Sequence, residues 1–260
     1  MSLSIIYYTD NSLPPTFSEF CQKQLEKAAE GKEIISVSQS PIPFGHNVCV
    51  GNIGRSHLSM YKQMFVGGLM ASGDSIALAE HDCLYTPEHF NWTPPSTDVF
   101  YYNVNHWFVQ CGGGRDGQYS YQRRRVLSQL ICDRELFLTA IKEKVWMLEN
   151  GFMIRKGMTG ACEPGCRLPE EAMVRVGREN MMLASLPCEP GIDINKEEYT
   201  SALAEFKDLG KELGRWRAEA FRTELPNLDV RHSGNFSGGR RGKEKAWELP
   251  YWGRWKDFYA

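Results

Sequence analysis

Two apolar runs with an amphipathic stretch between them constrain this chain more than anything else in it. Ser4-Ile-Ile-Tyr-Tyr has the pattern of a buried strand and runs into the polar Thr9-Asp10-Asn11. Pro14 and Pro15 follow, and Phe17, Phe20, Leu25 and Ala28 then recur at helical spacing. Residues 16–29 are therefore predicted to be a helix with one apolar stripe. Lys32 to Val37 is a second strand. A strand–helix–strand unit closes as a right-handed parallel crossover. An open parallel sheet binds ligands beyond the carboxyl ends of its strands, which puts residues 9–11 on the binding rim.

The same rim receives the most chemically loaded segment, Ser75-Ile-Ala-Leu-Ala-Glu80-His81-Asp82. Ser75 to Ala79 is a short buried strand. Side chains alternate along a strand, so Glu80 and Asp82 point the same way at its end. Two hard oxygen ligands there suit a divalent cation that also binds phosphates. Upstream stand Gly51-Asn52-Ile53-Gly54-Arg55-Ser56 and then a helix from about Ser56 to Ser72, with Ser56 as N-cap and Gly73 as stop.

A loop with an arginine, a helix, a strand and an acid pair, in that order, resembles the nucleotide-sugar-binding half of GT-A-type glycosyltransferases. The resemblance implies a GT-A-like, Rossmann-type α/β sandwich, with a mostly parallel central sheet flanked by helices and a C-terminal helical or loop extension. It implies that Thr9, Asp10, Asn11, Arg55 and Glu80 hold the donor nucleotide, and that Asp82 and Glu80 hold a metal. The family motif is Asp-x-Asp, so Glu80 is a departure.

A second constellation lies at Asp229-Val-Arg231-His232-Ser-Gly-Asn235 and continues to Arg240-Arg241. Glycines let backbone N–H groups approach an anion, and arginines give bidentate hydrogen bonds to phosphate. A neutral histidine can join two carboxylates around a cation. GT-A enzymes bring a C-terminal histidine back to the metal, with basic groups on the diphosphate. By that resemblance His232 is a metal ligand, and Arg231, Arg240 and Arg241 bind the diphosphate.

Charge is nearly balanced, with 30 basic and 32 acidic residues, so no global field marks a nucleic-acid or membrane protein. No apolar run is long enough to span a bilayer and no signal-peptide pattern opens the chain, so a cytoplasmic location is expected. Eight scattered cysteines are expected to be reduced thiols. Cys162-Glu-Pro-Gly-Cys166 with Cys188 raises zinc, but no second well-spaced pair follows. Gly112 to Gly117 is a turn that lacks the dinucleotide-binding pattern. Pro41 to Val50 and Pro87 to Pro95 are expected to be loops, and residues 98–110 one or two strands. Asp133 is expected to N-cap a helix to about Leu148, and Lys196 to Glu224 to form a charged amphipathic helix. The chain is expected to be one catalytic domain. Its nucleotide-sugar half covers residues 1–110 and its acceptor side 111–195; residues 196–260 return to the metal.

These features point to a hexosyl- or pentosyltransferase that uses Mn2+ or Mg2+ and a nucleoside-diphosphate sugar, such as a UDP-sugar. If the transfer inverts, a carboxylate must remove the acceptor proton. Glu163 is the first candidate and Asp133 the second. Arg123, Arg124 and Trp107 are candidate acceptor-binding residues. The cluster Tyr119 to Arg125 and a tail rich in Arg and Trp fit a hydroxymethylated pyrimidine in DNA, or a glycan on which the rings stack. The tryptophans could equally anchor the C-terminus on the core. An alternative from another class is a non-catalytic nucleic-acid-binding protein using the same Arg- and Trp-rich segments. A glycoside hydrolase would need two facing carboxylates and no metal.

Overall fold

The computed structural model describes residues 2–122, 124–149, 163–164, 216–232 and 244–259. The opening unit is as expected: β1 (Leu3–Thr9), α1 (Pro15–Ala29) and β2 (Glu33–Ser38) form a parallel crossover. Next come β3 (His46–Cys49), α2 (His57–Met70) and β4 (Ser75–Glu80). The short β5 (Cys83–Leu84) and α3 (Pro87–Asn91) lead to β6 (Val99–Asn103), β7 (His106–Gln110) and β8 (Tyr119–Tyr121). Then follow β9 (Leu130–Asp133), α4 (Arg134–Glu149), β10 (Arg217–Phe221), β11 (Asn227–Arg231) and β12 (Lys245–Ala246).

The strands make two sheets. The larger has seven strands in the order β10-β6-β9-β4-β1-β2-β3. It is parallel except for β9, which runs antiparallel to β4 and β6. This is the mixed α/β architecture expected, with helices on both faces. Alternation divides the core: Ile6, Tyr8, Ile76 and Leu78 pack against α2 and α4, whereas Ile5, Tyr7, Ala77 and Ala79 pack toward α1 and α3. α2 lies very close to the sheet, because a Cβ on Gly67 would stand 2.4 Å from Ile6 Cγ2. The chain leaves β1 on one side to make β2 and β3 and returns on the other as β4. The tips of β1 and β4 are thus the topological switch point, where a doubly wound sheet opens a crevice.

The second sheet, β12-β8-β7-β11-β5, was not expected. β7 and β8, on either side of the division expected at residue 110, are neighbours in it. α1 serves both sheets: Leu25, Ala28 and Ala29 pack on the first, while Phe17 and Cys21 join Leu84, Val109, Leu228 and Val230 of the second. Leu249, Trp252 and Trp255 complete that cluster, and Trp252 Nε1 donates to the Pro226 carbonyl at 2.6 Å.

Several expectations need correction. The stretch 41–50 contains β3, an exposed edge strand, and 87–95 contains α3. The helix expected through Glu224 is β10 over residues 217–221, since parallel pairing with β6 overrides the helical preference of Arg-Ala-Glu-Ala. Residues 196–215 of that expected helix lie outside the described residues. α2 ends on Ala71 in extended conformation, so Gly73 is not its stop. Gly73 instead allows a close approach to Ser4, whose backbone N would lie 2.7 Å from an added Cβ. No helix among the described residues is long and apolar enough to cross a membrane.

His89 and His106 are wholly buried. Burial lowers both from 6.5 to about 3, with the charges of Arg231 and Arg124 adding to the effect on His106. Between those values the unfolded chain takes up protons that the native state refuses. Their contribution is intact above about pH 6.5 and is lost as pH falls through that window. The urea midpoint should therefore fall between about pH 7.5 and about pH 5, and His89→Gln should flatten that dependence.

Candidate functional site

Local chemistry shapes the rim before any ligand is considered. The buried Gln63 side chain donates to the carbonyls of Thr9 (2.7 Å) and Val37 (3.0 Å), which ties the ends of β1 and β2 to α2. Stripping buried carbonyls of such a donor costs about 1–3 kcal/mol, so the rim is stiff. Ser56 caps α2 by accepting from Ser59 N at 3.0 Å. Gln39 Nε2 donates to Gly54 O at 2.6 Å and fixes the loop that carries Arg55.

At the β1 tip, Arg55 Nε reaches Asp10 Oδ2 at 2.5 Å. Asp10 Oδ1 accepts from Ser12 N (3.0 Å) and Ser12 Oγ (2.7 Å). Burial pushes the Asp10 carboxyl up, but the Ser12 hydrogen bonds and the charges of His81 and Arg55 outweigh it, and its pKa ends below the ordinary value. Asn11 takes a left-handed φ of 61°, and its Oδ1 accepts from Gln39 N and Ser40 N at 2.8 Å each. Its carboxamide thus joins two loops at the β1 tip.

Strand alternation sends the residues of the acid motif in two directions. Tyr8 Oη donates to Glu80 Oε1 at 2.7 Å. His81, between the acids, points to the β1 tip instead, with Nδ1 2.8 Å from Thr9 Oγ1 and 3.7 Å from Asp10 Oδ1. Burial lowers the pKa of His81, which favours a neutral ring. The Asp82 carbonyl accepts from Val230 N at 2.9 Å, locking β11 onto the turn after β4. That register delivers His232, whose Nε2 is 3.5 Å from Asp82 Oδ2. Arg231 arrives beside it, with Nη2 2.9 Å from Asp229 Oδ2.

The electrostatics suit a cation. Ligand atoms of Glu80, Asp82 and Cys83 lie within 4.8 Å of one another. At an effective dielectric of about 20, two carboxylates that close repel by about 3 kcal/mol. Burial and then the Asp82 charge raise Glu80 from 4.5 to about 7. Asp82 moves the other way: burial pushes it up, but the His232 hydrogen bond and the fields of His81, His232 and Arg231 bring it below the ordinary value. Burial drives the Cys83 thiol well above its ordinary value. Glu80 and Asp82 supply two hard carboxylate ligands, and the His232 imidazole stands beside Asp82, donor types that suit Mn2+ or Mg2+.

Glu163 is buried, and its charge acts on Glu80. The neighbouring Pro164 carbonyl accepts from Tyr102 Oη at 2.6 Å, which pins this loop to the sheet. Asp133 is far from both. β9 is antiparallel, so Asp133 pairs with Ser75 at the start of β4, and its Oδ1 accepts from Glu135 N and Leu136 N as a helix cap. It is not the base. Trp107 packs against the third core cluster beside Tyr121, on the sheet face opposite Phe108. Arg124 is half-buried near His106. Arg123, Arg240 and Arg241, and Cys162, Cys166 and Cys188, lie outside the described residues. The sequence reading missed His81, Asp229 and Phe108. Alternation alone would have aimed His81 at the β1 tip.

No protein-family model matches this chain, and no curated protein matches it in sequence. Solved structures do match in arrangement. TarS of S. aureus, residues 1–349 in complex with UDP-GlcNAc, is 10% identical over 92% of this chain and 62% of that one, at a TM-score of 0.43. A glycosyltransferase involved in glycosylating the major capsid of PBCV-1 is 8% identical over 56% and 66% of the two chains, at 0.35. The bifunctional IspDF of Campylobacter jejuni is 8% identical over 55% and 44%, at 0.32. The chain thus spans between 44% and 66% of the length of these three. The likeness is one of fold alone.

Asp82→Asn removes the negative charge nearest Glu80 and should move the Glu80 titration below its present value of about 7. A carboxyl 13C titration of the metal-free protein checks this. An unmoved midpoint would mean that burial alone sets it.

Proposed function

We propose that this protein is a metal-dependent glycosyltransferase that moves a sugar from a nucleoside-diphosphate sugar to an acceptor hydroxyl. The observation that supports it best is the 3.5 Å approach of His232 to Asp82, residues brought together from distant parts of the chain at the switch point of the sheet. Asp82, Glu80 and His232 would hold a divalent cation, which when bound supplies positive charge against the departing diphosphate. Arg231 adds a guanidinium in the same place. Thr9, Asp10 and Arg55, joined through His81, form the nucleotide end of the crevice.

An inverting displacement needs a base on the acceptor side, and Glu163 is the buried carboxylate there. Its carboxylate accepts the acceptor hydroxyl proton as that oxygen bonds to the anomeric carbon and the bond to the diphosphate breaks. The acceptor that fits better is a glycan or other small hydroxyl compound. Trp252 and Trp255, which a nucleic-acid surface would need exposed, are buried in the third core cluster. Arg254 and Lys256 pair with Asp257 and Asp116 while staying largely exposed, and Trp247 and Tyr251 are exposed as well.

Asp82→Ala should cut manganese-dependent turnover of nucleoside-diphosphate sugars by about 100-fold or more while the melting curve keeps its cooperativity. Full turnover with an unchanged metal requirement would overturn the assignment. Glu163→Gln should lower kcat by roughly 10²–10⁴-fold with little change in donor affinity. Steady-state kinetics with titration of the donor separates the two effects.

A further inference from the structure

Arg231 is built into the second sheet more firmly than a surface phosphate ligand would be. Parallel pairing sets Asp229 of β11 beside Phe108 of β7, and Arg231 beside Gln110. Leu228, Val230 and Val109 point into the third core cluster. Asp229, Arg231 and Phe108 therefore share the other face, the one that borders Asp82. There the Arg231 guanidinium carbon stands 3.6 Å from the centre of the Phe108 ring, while Nη2 meets Asp229 Oδ2 at 2.9 Å. A ring beneath the guanidinium plane and a carboxylate at one edge fix both its tilt and its rotation.

We propose that Asp229 and Phe108 are positioning residues that pre-organise Arg231 for the diphosphate of the donor. The proposal rests on the glycosyltransferase reading and adds to it. Neither residue touches the substrate. Each removes freedom from a long side chain that would otherwise have to be ordered when the donor binds. Asp229 also sits close enough to Asp82 and Glu80 for its charge to act on Cys83 along with theirs.

The experiment has two arms. In the first, side-chain 15N relaxation and exchange follow the Arg231 guanidinium in the full-length protein without nucleotide. Slow rotation in the wild type, made fast by Asp229→Asn and by Phe108→Leu but not by Phe108→Tyr, is expected. Free rotation in the wild type would overturn the proposal whatever the protein's activity. In the second, UDP, GDP, CDP and ADP with manganese are titrated beside the corresponding nucleosides. Asp229→Asn and Phe108→Leu should weaken the preferred diphosphate by about 10-fold, leave the nucleoside unchanged, and have no further effect in an Arg231→Ala background. Phe108→Tyr should retain affinity. Equal losses for diphosphate and nucleoside, or losses that add to Arg231→Ala, would show that these side chains act elsewhere. If rotation behaves as expected but no diphosphate binds the wild type, the glycosyltransferase reading fails and the diphosphate role falls with it, whereas the mechanical coupling stands.

Discussion

The backbone hydrogen bond from Val230 N to the Asp82 carbonyl is the joint on which this molecule depends. On one side stands the turn that ends the central sheet with two carboxylates. On the other stands a strand from the far part of the chain, paired in parallel with β7 and antiparallel with β5. Register follows from that pairing, and with it the positions of His232 and Arg231. A shift of one residue would turn Asp229 and Arg231 into the apolar cluster and bring Val230 out beside the acids.

The joint also explains how so much charge is tolerated in one place. Glu80, Asp82 and Asp229 are buried or nearly so, and each alone would be costly. The structure divides the load. Tyr8 donates to Glu80, His232 meets Asp82 and Arg231 meets Asp229. Glu80 and Asp229 remain the strained members: Glu80 is raised to about 7, and burial pushes Asp229 well above the ordinary carboxylate range despite the Arg231 charge; a cation among these groups would relieve them.

Local signals were legible in the sequence; long-range pairing was not. β1, α1, β2, α2 and β4 are announced by apolar periodicity and by the Ser56 cap, and all fall close to where these place them. The acid pair was legible because alternation dictates its common direction. β3 and β10 were not. His-Asn-Val-Cys has no apolar alternation, and Arg-Ala-Glu-Ala favours a helix, so both become strands only through their neighbours. Asp133 was misassigned for the same reason. Its position along the chain says nothing of β9 running backwards, which carries it to the opposite end of the sheet.

The burial of Trp252 and Trp255 against β11 bears on how such a chain matures. Thr86 N and Asn227 Oδ1 already hydrogen-bond across 141 residues, and the indoles then close the same apolar cluster from beyond them. Contacts so distant form late, after the parallel crossover has been able to assemble. During synthesis at the ribosome, the tips of β1 and β4 therefore emerge well before the imidazole of His232 and the guanidinium of Arg231 that come to lie beside them.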